Sequence, residues 1–136
     1  MSKNWTISQS TELLNIPKPR GRDWFIRGYI EPDHPTSGQG KLNLLSKNNL
    51  YQLKVFDFLI DQSVSRDEAA KIIKEIENYK AECPYLAVKF KKTLKKPLYE
   101  WLPKPSSIEN NIKYVIIINC NAIFEEVDKA LEKSGL

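Results

Sequence analysis

The chain has only two cysteines, Cys83 and Cys120, far apart and in no C-x-x-C pair. That excludes a disulfide framework, and it excludes a zinc site of cysteines alone, because structural zinc takes four ligands. There is one histidine, His34, set in a polar loop with no partner at catalytic spacing. Ser/His/Asp, paired-carboxylate and phosphate-cradling glycine patterns are missing as units, so no enzyme is expected. No cofactor, metal or small-molecule effector is expected either. Long apolar runs are also lacking. The longest, Tyr114–Ile118, is strand-sized, whereas a membrane helix needs about 20 residues. The opening MSKNWTISQS is polar and carries no apolar signal-peptide core. A cytoplasmic location without membrane attachment is the expectation.

What is present is an ordinary globular composition: 136 residues, 41% hydrophobic and 28% charged. That is too apolar for a disordered chain and enough for one compact domain or a small module with an appendage. A net charge of +4 permits a nucleic-acid partner without requiring one. The charge is unevenly spread. Residues 1–50 hold seven Lys/Arg against four Asp/Glu, and residues 84–104 hold six against one. Acidic residues outnumber basic ones in 51–83 and again in 105–136.

Residues 6–14 read as a short helix with Ile7, Leu13 and Leu14 on its apolar face, broken at Asn15-Ile16-Pro17. A second helix is expected from Lys18 to Arg27. Pro17 and Pro19 suit its opening turn, where a missing N–H costs nothing. Gly28 suits its C-terminal stop. Gly21 should weaken that helix by about 0.5–1 kcal/mol relative to alanine. Residues 31–41, EPDHPTSGQGK, have the chemistry of a hairpin tip. Ser46 caps a third helix over 47–62, with Leu50, Leu53, Phe56 and Ile60 at helical spacing. Ser65 and Glu68 form an S-x-x-E capping box for a fourth, ended by Cys83-Pro84. Beyond it, Tyr85–Lys91, Leu98–Leu102 and Ile112–Asn119 read as strands. Ile123, Phe124, Val127, Ala130 and Leu131 stripe a C-terminal helix over 121–133.

A short helix, a tight turn, a basic helix, a glycine-rich hairpin and two more helices is the order of a winged helix-turn-helix. In that arrangement the second helix enters a major groove about 12 Å wide and the hairpin meets the flanking backbone. The residues carry a resemblance. Trp5-Thr6-Ile7 stands at the opening and Asn15-Ile16-Pro17 at the turn. Arg22, Trp24, Gly28, Ile30 and Pro32 keep the spacing of a central signature. Ser46, Asn49 and Leu50 begin the following helix, and Ser63-Val64-Ser65-Arg66-Asp67-Glu68 precede the last. Over residues 5–81 the chain resembles the MerR family. It departs from that family at Asp23, where an aromatic is usual, and at Leu42-Asn43-Leu44-Leu45, where a Y-R-x-Y motif is usual. The long dimerising helix is absent, since prolines at 84, 97, 103 and 105 interrupt that stretch.

An α+β fold in two parts is expected. The resemblance implies that residues 1–83 form a MerR-like winged helix-turn-helix of about four helices plus a wing. The alternation in 85–91, the β-branched run at 112–118 and the stripe at 123–131 predict that residues 84–136 form a small antiparallel strand and helix appendage. Its strand 112–118 and the helix bearing Ile123, Phe124 and Val127 offer more apolar surface than so short an appendage easily buries, which makes it a candidate dimerisation element. The resemblance further implies sequence-specific binding of double-stranded DNA by a small bacterial or phage transcriptional regulator. Lys18, Arg20, Arg22 and Arg27 on the second helix, and Gln39, Lys41 and Asn43 in the wing, are the expected DNA contacts. Arg20 and Arg22 are placed on the exposed side of the helix, Trp24 and Phe25 on its buried side. A homodimer is expected, because one such domain reads one half-site. Two alternatives stay open: an excisionase-like or architectural DNA-binding factor, and a chaperone-modulator type of module that binds protein instead. The basic segment Lys89, Lys91, Lys92, Lys95, Lys96 reads as a further backbone contact or as the solvated edge of a sheet.

Overall fold

Three successive helices are ended by the same backbone device. In the computed structural model, which describes residues 3–35, 43–91, 96–105 and 112–135, helix α1 spans Ile7–Leu13, α2 Lys18–Ile26 and α3 Lys47–Asp61. Past the end of each, one residue takes a left-handed conformation: Asn15 at φ 57°, Gly28 at φ 79° and Ser63 at φ 68°. The next N–H then turns back into the helix. Ile16 donates to the Thr11 carbonyl at 2.9 Å, Tyr29 to Trp24 at 3.0 Å and Val64 to Leu59 at 3.0 Å. These bonds satisfy carbonyls that a helix end otherwise orphans and reverse the chain within two residues. The turn between α1 and α2 is tight for this reason.

The starts are capped as locally. The Thr6 hydroxyl accepts from Gln9 N–H while the Gln9 side chain accepts from Thr6 N–H, and Ser46 and Asn49 repeat the pattern ahead of α3. At helix α4, Arg66–Lys74, only the Ser65 half of the expected box forms. The Glu68 carboxylate instead faces Lys71 at 3.8 Å. This helix is also shorter than expected. It tightens into a 3-10 turn over Glu75–Asn78, leaving Tyr79 extended, its ring 4.8 Å from Phe124 and 5.9 Å from Trp101. Tertiary aromatic packing overrides a periodicity that would have run on to Cys83.

The fold is α+β, with five α-helices and two small antiparallel sheets among the described residues. Strand β1, Trp5–Thr6, pairs with β2, Leu44–Leu45. Strands β3, Tyr85–Lys91, β4, Leu98–Leu102, and β5, Ile112–Asn119, form a second sheet in the order β4-β3-β5. Helix α5, Cys120–Ser134, follows β5 directly and packs on α3. Central strand β3 departs from simple alternation, since Leu86, Ala87, Val88 and Lys89 are all buried.

Helix α3 is the hub. Leu50, Leu53, Val55, Phe56 and Leu59 are fully buried, and α4 and α5 both pack against it. One apolar cluster runs from Trp5 to Val127, joining side chains from both sides of residue 84. Ile123, Phe124 and Val127 raised the expectation of a dimer surface. They are buried within the chain, with Phe124 stacked on Tyr51 at 4.2 Å. The Tyr51 hydroxyl donates to Asp128 at 2.8 Å, and Lys47 lies 3.1 Å from the same carboxylate.

Candidate functional site

Helix α2 shows two faces. Gly21, Trp24 and Phe25 are buried, and Trp24 meets the Phe56 ring at 4.6 Å. Lys18, Arg22 and Ile26 are exposed. Spaced four apart, they advance only about 40° each around the axis and so form one stripe. Lys18 and Arg22 have no ion pair among the described residues.

Gly21 explains how close α2 lies to α1. A Cβ placed there would stand 2.5 Å from the Thr11 Cγ2 atom. Thr11 is fully buried, with its hydroxyl donating to the Ile7 and Ser8 carbonyls at 3.1 Å each. Sequence reading counted Gly21 only as a weak helix residue. Its role is to admit the neighbouring helix. In front of this contact lies a groove of about 420 Å³ between α1 and α2, lined by Ile7, Phe25 and Ile26 with Lys18, Arg22 and Asn43 at its margins.

The other two cations of α2 differ from expectation. Arg20 is not on the exposed stripe but turns back onto α3. Its guanidinium lies 3.2 Å from Asp61 and 3.7 Å from Asp57, and sits over the Trp24 ring at 5.2 Å. Helical geometry accounts for this, because Arg20 and Trp24 are four residues apart and share a side of α2. Burial raises the Asp57 carboxyl above its ordinary pKa and repulsion from Asp61 adds to that, while Arg20 and Lys54 act the other way. Arg27 is exposed and bonded to Asp23 at 2.9 Å, which raises its pKa. Asp23, the departure from the family pattern, thus holds a neighbouring arginine.

The base of the expected wing is well built. His34 and Leu44 exchange backbone hydrogen bonds at 3.1 and 3.0 Å, and β2 continues into its pairing with β1, Trp5 opposite Leu45. That pairing sets the loop base beside the start of α1. Asn43 is half-buried at the groove margin. Gln39 and Lys41, with the rest of residues 36–42 and so most of the expected wing loop, lie outside the described residues. Asn49, which the sequence places with Ser46 and Leu50 at the start of the third helix, is also the anchor of this region, a role the sequence does not announce. It is fully buried, and its side-chain oxygen accepts from Asp33 N–H at 2.7 Å and Ser46 N–H at 3.2 Å. Its amide donates to the Glu31 carbonyl at 2.8 Å. Ser46 adds a bond from its hydroxyl to Asp33. The available signal of its burial was its spacing: Asn49 stands one turn before Leu53 and two before Phe56, a polar residue on the apolar face of an amphipathic helix.

Lys89, placed by sequence in a basic segment, is buried and paired with Glu100. Lys96 is exposed, and residues 92–95 of the same segment lie outside the described residues. Cys120 sits fully buried where β5 meets α5, its N–H donating to the Pro84 carbonyl at 3.1 Å. Burial pushes its thiol up to about 12. Among the described residues no helix is long and apolar enough to cross a membrane.

Compared with protein-family models and with curated proteins, the chain gives no match.

Proposed function

We propose that residues 1–83 form a MerR-like winged helix-turn-helix that binds double-stranded DNA, with α2 in the major groove and the glycine-rich loop over 31–41 as its wing. On this reading the chain is a small cytoplasmic transcriptional regulator. The observation that carries it is the exposed stripe of α2. Lys18 and Arg22 project side by side with no ion pair among the described residues, from a helix fixed to α1 by a tight turn and a glycine contact. Phosphate neutralisation by such cations releases counterions, so binding must weaken steeply with salt. The test is retention of genomic duplex fragments at low and moderate ionic strength. Salt-dependent retention with a sequence preference supports the reading; no retention at low salt refutes it.

A homodimer pairing two half-sites belongs to the same proposal. It must form through a surface other than Ile123, Phe124 and Val127, which the chain covers itself. Sedimentation at concentrations well above those needed for DNA binding tests it.

A second reading has specific support. Arg20 and Arg27 are both held by carboxylates of the same chain, which lowers the positive field along α2. A groove with an apolar floor beside that helix also suits a protein partner. A flat response to DNA at low salt would favour this protein-interaction module.

A further inference from the structure

Ile26 is the most exposed large hydrophobic residue among those described, at 74%. The only other such residue is Leu98, at 41%, in the edge strand β4. Ile26 lies one turn beyond Arg22 on the solvent stripe of α2, and it shares the wall of the α1–α2 groove with Phe25 and Ile7. From Lys18 to Ile26 the stripe runs over about 12 Å of helix axis, and a helix roughly 10–12 Å across fits a major groove about 12 Å wide, so the whole stripe can face one groove.

An aliphatic side chain has nothing to offer a phosphate. On the base edges of the major groove, the one apolar group is the C5 methyl of thymine. Lys18 and Arg22 supply the charge that brings a polyanion to this face, and Ile26 supplies the only bulky apolar end on the same stripe. We infer that Ile26 is a specificity-determining residue that packs against a thymine methyl, so that the preferred site carries an A·T pair beside the position reached by Arg22. This rests on the DNA-binding reading above and adds to it the base class that is read.

The experiment uses the full chain and a random-sequence duplex pool. The tightest-bound duplexes are selected, then resynthesised with deoxyuridine in place of thymidine, which removes only the C5 methyls. The native protein should bind the deoxyuridine duplex about four-fold more weakly for each methyl contacted, the effect of one buried methyl-sized group. Ile26→Ser should bind both duplexes equally, with an unchanged melting temperature because the side chain is exposed. Equal binding of both duplexes by the native protein overturns the inference and leaves DNA binding standing. So does an Ile26→Ser protein that keeps the thymine preference. Failure of the native protein to retain any duplex at low salt overturns both.

Discussion

Arg20 donates from Nη2 to the Asp61 carboxylate at 3.2 Å, tying the second helix to the third. Asp57 stands beside the pair, its pKa raised mainly by burial and held back in part by Arg20. Arg20→Ala should therefore cost stability at neutral pH, by about 1 kcal/mol or less, since the pair is partly exposed to solvent. The sign with pH follows. A carboxyl whose folded pKa is raised destabilises the fold once it ionises, and losing Arg20 raises that pKa further. The stability deficit of the variant should shrink as pH falls and Asp57 takes up its proton. Urea denaturation at neutral and mildly acidic pH measures it. A deficit that grows on acidification would contradict the assigned role.

Arg22 is the contrasting case on the same helix. Arg22→Ala should leave the melting temperature unchanged and weaken DNA binding. The salt slope should fall by about one unit if the contact is to phosphate; if Arg22 reads a base, the cost is about 1–3 kcal/mol on the preferred sequence. Normal affinity in the folded variant would remove α2 from the interface.

Asp23 holds Arg27 at 2.9 Å. Asp23→Asn removes a carboxylate from the phosphate field and releases that guanidinium. Non-specific DNA binding should tighten and become more salt-dependent. Asp23→Asn in an Arg27→Ala background should gain less. Titrations of the single and double variants at two salt concentrations separate the two contributions.

Gly21→Ala improves helix propensity yet forces a methyl against Thr11, whose Cγ2 lies 2.5 Å from the added Cβ. Overpacking of this kind costs about 1–3 kcal/mol, more than propensity returns. The melting temperature should drop. Thr11→Ser, which deletes the clashing methyl but keeps the hydroxyl, should recover part of the loss in the double variant. A Gly21→Ala protein as stable as the native one would mean that α1 and α2 can separate at no cost.

Much of the backbone was legible because its signals are local. Gly28 stops α2, Ser46 caps α3, and the β-branched run after residue 111 forms β5. Trp24 and Phe25 fall on the buried side as spacing requires. What was not legible depends on partners distant in sequence. Nothing near Arg20 announces Asp57 and Asp61. Gly21 looks like a defect until Thr11 is placed against it. The stripe on α5 looked like a free surface until α3 was placed over it. Periodicity shows that a face is apolar, and only the tertiary fold shows what covers it.

The buried thiol of Cys120 gives a prediction independent of any ligand. Burial pushes its pKa from an ordinary 9.0 up to about 12, with a hydrogen bond from the Leu86 backbone acting the other way. The thiolate is the reactive form, so at mildly alkaline pH Cys120 should resist alkylation while half-buried Cys83 reacts first. Labelling of Cys120 should track global unfolding and accelerate with urea. The same shift links pH to stability. Between about pH 9 and 12 the unfolded chain releases this proton and the folded chain keeps it, so stability falls as pH rises, by about 1.4 kcal/mol per unit. Tyr51, Tyr79 and Tyr99 are raised above 10.0 in the same direction, mainly by burial, so the interval just above pH 9 is the diagnostic one. Cys120→Ala lacks the thiol and should lose less stability over that interval. Its deficit against the native protein should therefore narrow from pH 8.5 to pH 10, roughly the window set by the ordinary thiol and phenol values. A deficit that stays constant, or a Cys120 alkylated as fast as Cys83 in the folded protein, would show that the thiol at the β5–α5 junction is open to water.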